Sequence, residues 1–107
     1  MSAVLERVQT WFAARCNGTW EHQWGLRIET LDNPGWLVRI DLTGTPWENR
    51  AFPRLKKGID DNGNPVAPYW LHCFTQEKMF LGAGDPARLG ELLEIFLNWA
   101  EGDQAVR

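Results

Sequence analysis

The 107-residue sequence is short of cysteine, has no long apolar run and carries no excess of basic charge. Each shortage excludes something. Cys16 and Cys73 are too few and too isolated for a disulfide framework or a paired zinc-ligand motif, and both read as reduced thiols of a cytoplasmic protein. No window approaches the roughly 18 consecutive apolar residues that a spanning helix needs. Met1 to Arg15 carries Glu6, Arg7 and Arg15 among its apolar positions, which argues against a membrane span and a signal peptide. Lys plus Arg total 11 against 14 Asp plus Glu, a net charge of -3. DNA, RNA and anionic lipid reward clustered cations, so none of them is an expected partner and a basic protein fits better. The two histidines, His22 and His72, form no short-spaced ligand pair, so no metal and no cofactor is expected.

What is present is enough apolar material for one core, 44 % of the residues, and an unusual set of rings: seven Trp, five Phe and one Tyr. The length fits a single domain, residues 1–107, that folds without disulfides. In so small a domain some of these rings should stay partly accessible.

Val4, Leu5, Val8, Trp11 and Phe12 recur at helical spacing, and the run stops at Asn17-Gly18, a good left-handed exit. Trp20 to Gly25 has no sustained period and reads as a loop. Leu26, Ile28, Thr30 and then Trp36, Val38, Ile40, Leu42 alternate with mostly charged residues. That predicts a β-hairpin whose solvent side carries Arg27, Glu29, Arg39 and Asp41. Asp32, Asn33, Pro34, Gly35 and Trp36 form its structural turn, with Gly35 there to accept positive φ. A weak edge strand is expected around Glu48 to Leu55, limited by Pro53. Lys56 to Pro68 reads as the longest loop. Tyr69 to Thr75 and Lys78 to Ala83 read as a second hairpin closed near Gln76-Glu77. Apolar side chains on both faces of its first strand suggest a central position in the sheet. Asp85-Pro86 opens a helix through Leu89, Leu92, Leu93, Phe96, Trp99 and Ala100 that ends before Gly102. The order predicts an α+β fold: an antiparallel sheet of four to five strands with an N-terminal and a C-terminal helix packed on one face.

Catalytic constellations are weak. His72 and Cys73 are adjacent in a strand, so they point to opposite faces and should not form a thiolate pair. Gly82-Ala83-Gly84 before a helix resembles an anion cradle, but Asp85 already occupies the cap with a carboxylate. Arg54, Lys56 and Lys57 are followed by Asp60 and Asp61, as in a solvated loop. Trp20, Glu21, His22 and Trp24, with Glu29, make the best candidate binding set, because Trp anchors among polar groups are common interface hot spots. Two other readings stay open: a small thiol-dependent enzyme using Cys16 or Cys73, and a Trp-lined module for a sugar or other small ligand.

Several strings also resemble a known family. Trp11, Cys16-Asn17-Gly18-Thr19-Trp20-Glu21-His22, Gly25 through Trp36, Ile40-Asp41-Leu42 and Thr45 are similar to the immunity protein 53 family of bacterial polymorphic toxin systems. So are Trp70, Cys73, Phe80, Gly82-Ala83-Gly84-Asp85-Pro86, Leu89, Phe96 and Trp99-Ala100. Gly58 to Tyr69 is longer and richer in Pro and Gly than the resemblance leads one to expect. The resemblance implies a non-enzymatic, cytoplasmic inhibitor that binds and neutralises a cognate toxin, with a nuclease as one candidate activity for that toxin.

Overall fold

A computed structural model describes residues 2–106. Its elements are helix α1 (Ser2–Arg15), a single turn α2 (Trp20–Gln23), strands β1 (Leu26–Leu31), β2 (Gly35–Asp41), β3 (Leu55–Lys57), β4 (Leu71–Thr75) and β5 (Met79–Gly84), and helix α3 (Leu89–Val106). The strands make one antiparallel sheet in the order β1-β2-β5-β4-β3. The α+β architecture expected from the pattern is therefore the one that forms.

Period-two alternation sorts the strand residues. Val38, Ile40 and Leu42, then Leu71, Cys73 and Phe80, are all fully buried. They meet Leu92, Leu93, Phe96 and Leu97, which α3 brings to one face by its 3.6-residue repeat. Each such side chain contributes on the order of 1.5–3 kcal/mol by leaving water. α3 lies over β2 and β5, and α1 packs beside it through Val4 and Trp11. At the open end of the two helices Arg7 pairs with Glu101 at 2.9 Å.

The tryptophans mostly tie segments together. Trp11 sits edge-on to Trp20 and Phe96, at 6.1 and 5.1 Å. Trp20, Trp36, Trp47 and Trp99 each donate the ring N–H to a distant carbonyl: Thr43, Pro86, Ala100 and Ala51, respectively. The last two fasten the 43–52 segment onto α3.

Local chemistry overrides the sequence reading at several points. Trp20 to Gln23 is helical rather than loop: Asn17 Oδ1 accepts from the Thr19 and Trp20 N–H groups, which closes the entry turn, and Gly18 supplies a φ of +92. The segment 43–50 is a run of turns, and the edge strand forms only at Leu55, past Pro53. Asp85 caps a turn through Ala87 N–H, so the final helix begins at Leu89. That helix also runs through Gly102 to Val106. The β4–β5 hairpin closes with Glu77 and Lys78 both at positive φ, 53° and 61°, the primed turn that matches strand twist. Gly35 is not in the left-handed region. Glycine is required there because a Cβ would lie 2.5 Å from the Gly84 carbonyl oxygen on the neighbouring strand.

Candidate functional site

Both terminal helices cover the same face of the sheet, which leaves the other face to be accounted for. Among the described residues no helix lies over it. The strand register places its side chains in rungs. Arg27 lies opposite Arg39, Arg39 opposite Leu81, and Leu81 opposite Phe74. The next rung runs Glu29, Leu37, Ala83, His72, Lys56, and Asp41 pairs with Met79. Leu37, Met79, Leu81 and Phe74 are each only half-buried. The centre of the open face is thus apolar, with Arg27 and Arg39 beside Glu29 and Asp41 on its β1–β2 side and Lys56 on its β3 side.

Two shallow clefts indent this face and meet at Ala83. One, of about 430 Å³, is lined by Leu37, Arg39, Phe74, Met79 and Leu81. The other, of about 410 Å³, lies where Ile59, Gly63 and Pro65 of the long loop fold towards Leu31, Asp32, Asn33, Trp70 and His72.

The electrostatics of the face are unusual. Arg27 and Arg39 are like charges directly opposite one another, an arrangement that destabilises a strand pair. Neither forms a hydrogen bond or ion pair among the described residues, and Arg39 Nε is buried without a partner. The four charged residues on the hairpin's solvent side do not pair across it: Glu29 faces Leu37, and an Asp41 oxygen accepts from Gly25 N–H. On the far side Arg54 donates to His72 Nε2 at 2.8 Å and lies over the Phe74 ring at 4.5 Å. Burial, and then the Arg54 and Lys56 charges, lower the His72 pKa, which favours the neutral ring that can accept this bond.

The candidate binding residues named from sequence are not gathered into one patch. Trp20 points into the core. The Glu21 carboxylate accepts from the Asn17 and Gly18 N–H groups. Its own N–H, followed by those two, holds it below the usual carboxylate range against the opposing effect of desolvation. His22 is exposed on α2. Trp24 lines a groove with Val8, Phe12 and Leu26 between α1 and β1. Glu29 alone of the five belongs to the open face, at its β1 rim. Asp32 and Asn33 border the second cleft, while Trp36 is anchored to Pro86. Sequence reasoning missed Leu37, Leu81, Phe74 and Arg54 as a group. The available signal was the apolar second face of β4, read only as a mark of a central strand.

Cys73 faces the core, away from His72, and burial pushes its thiol up to about 12. It is not a thiolate near neutral pH. Cys16 is exposed and directs its Sγ at the Phe12 carbonyl. No group of three or more His, Cys, Asp or Glu able to hold a metal ion occurs among the described residues. No helix among them is long and apolar enough to cross a membrane.

A half-buried apolar surface flanked by guanidinium groups is what a protein-binding domain offers to a partner. The sequence matches the family of immunity protein 53 over residues 5–101, nearly its whole length, and the chain belongs to that family. Its function is accordingly one of immunity, and the family implies a cognate toxin as partner. No curated protein and no solved structure matches the chain.

Proposed function

We propose that the protein neutralises a cognate polymorphic toxin in the bacterial cytoplasm by stoichiometric binding, and that the toxin docks on the open face of the sheet. The observation that carries this reading is the bare apolar centre, Leu37, Leu81 and Phe74, in a chain whose family is one of immunity proteins. A stoichiometric inhibitor needs a dissociation constant approaching about 1 pM, near -16 kcal/mol. That calls for roughly 800 Å² on each partner with desolvated anchors at the centre. Leu81 and Phe74 supply the anchors, and Arg39 and Arg54 supply cations that a partner's carboxylates can satisfy.

Of the residues singled out from sequence, Glu29 touches the toxin at the β1 rim, and Trp24 and His22 extend the contact beyond the edge. Trp20 and Glu21 hold the shape of that segment. The net acidic balance favours a basic toxin such as a nuclease for long-range encounter, while Arg39 and Arg54 beside the apolar centre seat acidic groups of the same partner.

The test is co-expression with the product of the adjacent toxin gene, together with size exclusion of the purified pair. Growth should be rescued and a one-to-one complex should elute. Leu81→Asp should weaken the complex at least a hundredfold while keeping the far-UV circular dichroism of the wild type. A pair that stays separate overturns the immunity mechanism. A complex unchanged by Leu81→Asp and Phe74→Ala overturns the docking face alone.

A further inference from the structure

The two edges of the sheet are built differently. β3 has three residues, carries Lys56 and Lys57 and follows Pro53, all of which discourage another strand from pairing. β1 has six residues without proline, lysine or bulge. Asp41 N–H donates to the Gly25 carbonyl at 3.0 Å, which fixes the phase of the ladder. Residues 25, 27, 29 and 31 therefore turn their backbone groups towards β2, and Leu26, Ile28 and Thr30 turn theirs outward. Those outward groups have no partner among the described residues. Ile28 is 40 % exposed, and Phe12 and Trp24, exposed at 37 and 36 %, line the groove beside Leu26.

We propose that β1 pairs antiparallel with β1 of a second copy of this chain, about a two-fold axis through Ile28, joining the two five-stranded sheets edge to edge. The alternation of the backbone groups allows only registers that set Leu26, Ile28 and Thr30 against one another, and the side-chain charges choose among them. An axis at Arg27 opposes Arg27 to itself, and an axis at Glu29 opposes Glu29 to itself. Axes at Leu26 or Thr30 leave both charges without a counterpart.

The axis at Ile28 places Arg27 opposite the partner's Glu29, twice by symmetry. These are non-hydrogen-bonded positions, where cross-strand side chains come closest. The carboxylate that Arg27 lacks beside Arg39 is then supplied by the second copy. On the helix face the two Ile28 side chains meet, and the exposed Phe12 and Trp24 beside Leu26 continue the apolar seam. Each copy keeps the centre of its open face free, but Glu29 and Trp24 belong to both contacts, so a toxin that reaches past the β1 rim competes with the second copy.

Sedimentation velocity on the purified chain over a concentration series tests this, with Arg27→Glu, Glu29→Arg and the double variant. The wild type should show a concentration-dependent dimer. Each single variant turns two attractive pairs into two repulsive ones and should weaken it roughly thirtyfold. The double variant, with the charges exchanged, should restore it to within a few-fold. Circular dichroism confirms that each variant is folded, and amide exchange at Ile28 should slow as dimer accumulates. A wild type that stays monomeric overturns the proposal, as does a dimer insensitive to the single variants or a folded double variant that fails to dimerise. Ile28 protection that appears only on adding toxin also overturns it, because β1 would then pair with the toxin.

Discussion

Arg39→Met should make the protein more stable and a poorer inhibitor. Arg39 lies half-buried beside the apolar centre of the open face, directly opposite Arg27, with Nε enclosed and bonded to nothing. Like charges in opposite positions cost about 0.2–1 kcal/mol. A buried donor without an acceptor costs about 1–3 kcal/mol, of which only part is recovered here because the outer guanidinium nitrogens are not enclosed. Methionine keeps much of the apolar stem, so the net gain should be about 1 kcal/mol. In a domain of this size that raises the melting temperature by about 4–8 °C. Thermal melts followed by circular dichroism at neutral pH measure the gain, and calorimetric titration with the toxin measures the loss, expected to be at least tenfold in affinity. A melting temperature equal to or below that of the wild type would refute the idea that this guanidinium is held at a cost for the sake of binding. The same outcome with unchanged affinity would remove Arg39 from the site.

Three further outcomes are expected. Gly35→Ala pushes a methyl against the Gly84 carbonyl, a backbone atom that cannot swing aside, and should cost about 1–3 kcal/mol in urea denaturation. Asp85 is buried, and burial alone would raise its pKa; the N–H groups of Trp70 and Ala87 and the Arg88 side chain outweigh that and lower it. Its stabilisation is therefore complete above the unfolded value near 3.8 and disappears as pH falls through the lower folded value. Asp85→Asn should destabilise the protein at pH 7 by about 1–3 kcal/mol and flatten the acid limb of a stability–pH profile. Iodoacetamide should alkylate Cys16 in the native protein and Cys73 only in denaturant, as read by mass spectrometry, since one thiol is exposed and the other is buried with its pKa raised.

The fold was largely legible because its signals are periodic. Val38, Ile40 and Leu42 alternate, Leu92, Leu93, Phe96 and Leu97 recur at helical steps, and both patterns point at the same buried layer. Signals that depend on side-chain bonds to distant or local backbone were not legible. Nothing in the composition of Trp20 to Gln23 announces that Asn17 and Glu21 will bracket a helical turn. Gly35 looks like a turn glycine, and only the arrival of β5 beside it explains the residue. The site was harder still. The opposition of Arg27 to Arg39 lies within the first hairpin and that of Leu81 to Phe74 within the second, but only the pairing of β2 with β5 sets Arg39 beside Leu81 and joins the two hairpins into one face. Of the candidate set Trp20, Glu21, His22, Trp24 and Glu29, folding turns Trp20 into the core and leaves only Glu29 on the open face.

Toxin activity titrated with purified immunity protein is the most direct measurement of the central claim. Residual activity should fall linearly and reach zero at one equivalent, and Leu81→Asp at the same concentration should leave most of it standing. Abolition of the toxin by a small fraction of an equivalent, increasing with time of incubation, would mean that the protein turns over its target, and the account of neutralisation by a docked surface would be wrong.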